Sequence, residues 1–217
     1  MTERCPMFAF LDVPTEGAYH LVSWLALAVG TAAAIALFTG CVRLMLHPLA
    51  RSAIRGEKAR AALAPQAAKL REKHRENPDR MQRELLALYQ DSGTSLFAGC
   101  LPTLLQLPFL MVMYQLFTSA TINGTPNGLL AQTLLGAPLG GHFFDFGTGA
   151  AVFAVLFAAL AVVGFLAARA MPAESPKLLR LMPFGTTLAA AVLPLAAGLY
   201  LLTTTTWTVV ERAYLRR

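Results

Sequence analysis

Little of this sequence is charged, and less of it is reactive. Asp, Glu, Lys and Arg make up 14% of the 217 residues, 56% are hydrophobic, and the mean hydropathy is +0.54. A chain that apolar reads as a polytopic membrane protein and excludes a soluble domain. The three cysteines, Cys5, Cys41 and Cys100, are an odd and scattered set, so neither a disulfide framework nor a metal site is expected. His20, His47, His74 and His142 are dispersed, and the sequence has no H-E-x-x-H pair, no G-x-x-x-x-G-K-[ST] loop and no nucleophile-elbow serine. The expectation is a protein that is not an enzyme and uses no cofactor. An internal repeat is also missing, which argues against an inverted-repeat transporter. Residues 1–20 lack the basic and apolar regions of a cleaved signal peptide, so the first apolar run is expected to remain in the mature protein.

The most telling absence is local. Residues 121–148 contain no Lys or Arg, whereas eleven of the eighteen basic residues fall between Arg43 and Arg83. Basic residues flanking apolar runs mark the cytosolic side, so this asymmetry sets an orientation. It also explains the net charge of +6 without a specific nucleic-acid partner, because no nucleic-acid module is recognisable.

What is present is a set of apolar runs around one basic segment. Residues 21–46 are long enough to cross a hydrocarbon core of about 30 Å as a helix, and they carry Arg43 near their end. Arg43 either snorkels to the interface or is a cation held in a polar cavity between helices. Trp24 fits an interfacial indole or a packing residue equally well. Residues 51–91 read as two helices, Arg51 to about Glu76 and Asp79 to Tyr89, with Asn77-Pro78-Asp79 as the turn. Leu63, Ala67 and Leu70 on one, and Met81, Leu85 and Leu88 on the other, recur at three- or four-residue steps. Such steps let the pair zip as an antiparallel hairpin, with Pro65 expected to interrupt or kink the first arm.

Further spans are expected at residues 96–120, with Pro102, Pro108 and the polar Gln106 and Gln115, and at 149–171, rich in small residues. Residues 178–192 and 195–210 complete the set, separated near Pro194 because only a return there puts the basic tail back in the cytosol. The fold class is therefore an all-α polytopic membrane protein with five transmembrane helices. Its N-terminus is outside, its C-terminus inside, and a cytosolic helical hairpin joins spans one and two. Residues 1–20 form an outer or interfacial segment, 21–217 the core, and 121–148 an outer loop. The last two spans are short, which favours bilayer thinning.

Gly99 to Phe117, GCLPTLLQLPFLMVMYQLF, resembles the second core span of the YidC/Oxa membrane-protein insertases, through Gly99, Cys100, Pro102, Gln106 and Pro108. Arg43 followed by Pro48-Leu49 is similar to the family's R-x-x-x-x-P-L. Pro65, Lys69-Leu70 and Glu84 to Tyr89 resemble its cytosolic hairpin, and Leu135 to Leu139 its outer loop. Met182-Pro183, Pro194 and Gly198-Leu199-Tyr200 resemble the signature of its last two spans. The resemblance covers about residues 20 to 211 and is to the short bacterial form without a large outer domain. It implies an insertase or chaperone of the bacterial cytoplasmic membrane that needs no nucleotide. Its partners would be nascent membrane-protein clients and the lipid bilayer, with the ribosome and the Sec translocon as further candidates and no small-molecule substrate. It also implies a groove open to cytosol and lipid that contains Arg43, with Gln106, Thr203, Thr204 and Thr205 as polar lining. Leu201, Thr205, Glu211, Ala167 and Ala168 depart from the family pattern, which leaves Arg43 and the threonines to carry more of that lining. The alternatives are a small-solute or anion transporter that binds its ligand at Arg43, and an assembly chaperone that does not insert.

Overall fold

The computed structural model describes residues 12–92, 107–122, 124–143, 149–171 and 177–216. The chain forms two compact units, residues 1–44 with 108–215, and residues 45–107. In the first unit the apolar run expected as one helix is two: α1 (Asp12–Val29) and α2 (Thr31–Met45). The break falls at Gly30, whose φ of +80° is a conformation that favours glycine. Hydrogen bonds from Gly30 N to Ala26 O and from Ala34 N to Gly30 O, both 2.9 Å, carry the ladder across it. Already at Asp12, the first described residue, the chain is helical, well inside the segment expected to precede the first span.

The second unit holds α3 (His47–Lys73), opened by Pro48, and α4 (Pro78–Asp91), opened by Pro78 with Asn77 as its cap. Both prolines sit in a first turn, where the missing N–H is not needed. Pro65 does not interrupt α3; of the two expected effects, interruption is excluded, for the residue is exposed within a continuous helix of 27 residues. Its neighbours in the ladder are anchored by packing, since Leu63, Ala67 and Leu70 are buried or half-buried, as are Met81, Leu85 and Leu88 on α4. The two helices pack against each other with the spacing the sequence predicts.

Between them, His74 Nε2 lies 2.8 Å from Glu84 Oε2, and Arg80 Nε donates to Glu84 Oε1 at 3.1 Å. The Arg80 hydrogen bond is the largest influence and holds the Glu84 carboxyl below the usual glutamate range; burial opposes it, and His74 adds smaller lowering effects. A depressed carboxylate contributes stability that is fully present above its unfolded value, about 4.3, and lost as the pH falls through its folded value. Protection of the α3–α4 amides against hydrogen exchange in the full chain, corrected for intrinsic rates, is therefore expected to hold from neutrality to about pH 4.3 and decline below it. In Glu84→Gln that acid-dependent decline should vanish. An identical acid profile in wild type and variant would refute the assignment.

The first unit continues with α5 (Leu107–Thr118), whose first turn contains Pro108. A compact segment follows: β1 (Thr121–Ile122) pairs with β2 (Thr125–Pro126), α6 (Gly128–Ala131) comes next, and β3 (Thr133–Leu134) pairs with β4 (Ala137–Pro138). Asn127 organises it. Its side-chain amide donates to Leu116 O at 2.8 Å and Ser119 O at 3.0 Å, while its oxygen accepts from Leu129 N. The fold remains helical, since those strands are two residues each.

α7 (Ala150–Arg169) is the one single helix among the described residues that is long and apolar enough to cross a membrane. At about 1.5 Å per residue its 20 residues reach about 30 Å. Most of its apolar length is unburied, with Val155, Val162, Phe165 and Leu166 exposed. A soluble core helix would hide such side chains; a lipid-facing one displays them.

The run 178–192, expected as one span, is broken into α8 (Lys177–Leu181), a 3₁₀ turn (Met182–Phe184) around Pro183, and α9 (Gly185–Val192). Proline removes a ladder donor and crowds the preceding turn, which suits a tight 3₁₀ segment. After Pro194 comes α10 (Leu195–Arg216), which extends past the expected end at 210 through the charged tail. Its first free N–H groups are satisfied by the loop: Leu195 N donates to Gly141 O at 3.0 Å and Ala196 N to Leu139 O at 2.9 Å.

A single apolar cluster ties this unit together, from Val22 and Ile35 through Met113, Leu116 and Phe117 to Leu139, Leu160 and Leu195. Close approach depends on small residues. A Cβ at Gly198 would stand 2.6 Å from Leu156 Cδ2, so α7 and α10 meet where α10 has no side chain.

Candidate functional site: a cation bound between α2 and α10

Arg43 lies in the last turn of α2 and is half-buried. Its Nε donates to Thr204 Oγ1 of α10 at 2.7 Å, and its Nη2 donates to the same oxygen. The guanidinium thus engages another helix. Thr204 is 7% exposed, so this hydroxyl is a buried acceptor matched to a cationic donor.

The other sequence-derived lining residues separate clearly. Thr203 Oγ1 donates to Leu199 O at 2.9 Å and Thr205 Oγ1 to Leu201 O at 2.6 Å, so both hydroxyls fold back onto their own helix. Neither contributes to the contact with Arg43, because successive residues of a helix point about 100° apart and only one threonine of three can face α2. Gln106 lies outside the described residues, as do the motif positions Gly99, Cys100 and Pro102. Gln115, the second glutamine of that run, accepts from Thr15 Oγ1 at 3.2 Å and donates to Asp12 Oδ1 at 3.4 Å, an interhelical link between α5 and α1. Trp24 is 70% exposed, which removes the packing reading.

Two residues missing from the expected lining, Tyr200 and Glu211, share the face of α10 on which Thr204 meets Arg43. Tyr200 is 4% exposed and its ring lies 6.0 Å from that of Phe117. Their signal in the sequence was their register with Thr204, four residues before it and seven after.

Exposed apolar helix faces and a single arginine held by a hydroxyl between two helices define a helical membrane protein. The 60Kd inner membrane protein family matches residues 24–217 of this chain. A protein named membrane protein insertase YidC from Chlorobium limicola is 30% identical over 190 residues, covering 83% of this chain and 32% of that protein. Its namesake from Pelodictyon phaeoclathratiforme is 30% identical over 195 residues, 84% of this chain and 32% of that protein. The one from Clostridium perfringens is 36% identical over 113 residues, 52% of this chain and 43% of that protein. The chain thus spans less than half the length of these relatives. It belongs to the 60Kd inner membrane protein family, the YidC/Oxa family, as its motifs indicated.

Proposed function

We propose that the chain is a membrane-protein insertase of the bacterial cytoplasmic membrane, with five spans, its N-terminus outside, and the α3–α4 hairpin and C-terminus in the cytosol. The observation that carries this reading is the Arg43 guanidinium, at the end of the apolar helix α2, held on Thr204 of α10. A cation is costly in an apolar setting, and one retained there marks a path for polar chain. Arg43 would attract the polar, often acidic, outer segment of a client, whose apolar span then slides into lipid beside α7 and α10.

Burying that span at roughly 0.8 kcal/mol per CH₂ releases on the order of tens of kcal/mol, so no nucleotide is required. The shortness of the apolar helix Met182–Val192, well below the ~20 residues of an ordinary span, supports local thinning that lowers the barrier. The absence of Lys and Arg from residues 121–148, against eleven between Arg43 and Arg83, supports the orientation. The family and the names of the relatives support the activity.

Reconstitution of the purified chain alone into liposomes tests this. A nascent single-span client with a short acidic outer segment should become protected from protease without nucleotide. No protection beyond that in empty liposomes, with crosslinks between client and protein, would replace the insertase with a chaperone that only holds its clients.

A further inference from the structure

An arginine that captures acidic chain must first be considered with the charge it already faces. On α10 the step from Tyr200 to Thr204 is four residues and that from Thr204 to Glu211 is seven, about one and two turns of a 3.6-residue helix, so the three share one face. Thr204 fixes which face this is, because its hydroxyl holds both Nε and Nη2 of Arg43. Glu211 and Arg43 are both half-buried, and Glu211 is the one acidic residue of α10. Partial burial reduces screening, so the pair interacts more strongly than exposed charges at the same separation.

We propose that Glu211 is a specificity-determining residue of the capture site: it partly neutralises Arg43 at rest, so that densely acidic client segments are held and weakly acidic ones are not. This inference rests on the insertase reading. The carboxylate and the client's acidic side chains compete for one cation. A segment with several carboxylates displaces Glu211 readily, whereas a single aspartate exchanges one negative charge for another with little gain. A neutral segment is indifferent to Glu211. The two residues together then act as a charge threshold, set by a residue two turns from the hydrogen bond itself.

The test compares Glu211→Gln with wild type, each purified full-length and reconstituted in phosphatidylcholine vesicles. Three forms of one single-span client differ only in carrying several aspartates, one aspartate, or asparagines in the outer segment. Glu211→Gln should raise insertion of the single-aspartate client on the order of fivefold and leave the asparagine client unchanged, narrowing the gap to the densely acidic one. Glu211→Asp should keep the wild-type order. Equal change of all three clients, or none, overturns the proposal.

Because a variant can fail to fold, Glu211→Ala and Glu211→Gln are also compared with wild type in detergent, after gel filtration, for binding of a fluorescent single-aspartate peptide. Tighter binding by whichever variant elutes as wild type does, abolished by high salt, supports the threshold; unchanged affinity overturns it. If wild type inserts no client at all, the insertase reading fails, while the peptide affinities still decide the role of Glu211.

Discussion

Arg43→Ala should lower insertion of an acidic client at least about tenfold, since hydrogen bonds to a charged group contribute about 1.5–3 kcal/mol and each 1.4 kcal/mol is a factor of ten. The loss should fall on function more than on stability. Thr203, Thr205 and Thr208 all donate to the carbonyl four residues earlier, and Thr204 has the same option once Arg43 is gone. The variant therefore leaves no buried hydroxyl stranded. Arg43→Lys should fall between the two, keeping the charge but losing the planar two-nitrogen grip on Thr204. Protease protection of several clients, scored beside a thermal unfolding curve of each variant, checks this. Full insertion of every acidic client by Arg43→Ala would sink Arg43 as the capture site.

Phe117→Ala should have the largest effect on stability. Phe117 is fully buried in α5, and its ring packs on Tyr200, one turn before Thr204 on α10. Phe-to-Ala changes in close-packed cores cost about 3–5 kcal/mol, part transfer and part cavity. In a membrane protein the transfer part is smaller, because lipid is as apolar as the core, while the lost contacts count in full. A cost of about 3 kcal/mol in SDS-induced unfolding is the expected outcome, with Phe117→Leu below half of it. Because Tyr200 loses its support, Phe117→Ala should also weaken acidic-client insertion. A stability loss under about 1 kcal/mol would mean that the α5–α10 contact collapses without a cavity.

Legibility from sequence varied with the physics behind each element. Residues 149–171 are apolar except for Arg169 and free of proline, so composition alone located a helix, observed as Ala150–Arg169. Periodicity located Ala67 and the half-buried leucines and methionine of α3 and α4 but missed the buried Ile54 and Tyr89, while Asn77-Pro78 located their turn, because caps and first-turn prolines act within a few residues. Hydropathy failed where backbone geometry decided. Gly30 divides a run that is apolar on both sides, and Pro183 breaks another, whereas Pro65 leaves α3 continuous. A proline's effect depends on whether surrounding packing holds the helix around it, and that packing is not written in its neighbours.

The site shows the same division. Arg43 and a cluster of threonines were legible because polar residues stand out in apolar sequence. Which threonine meets Arg43 was not, since Thr203, Thr204 and Thr205 are chemically identical and only the rotation of α10 against α2 distinguishes them. The class of protein and the family were legible in the sequence, because both follow from composition and local motif. The partner of that arginine and the close contact at Gly198 belong to tertiary structure. They depend on how helices distant in the chain are rotated and how near they approach, and no local run of residues encodes either.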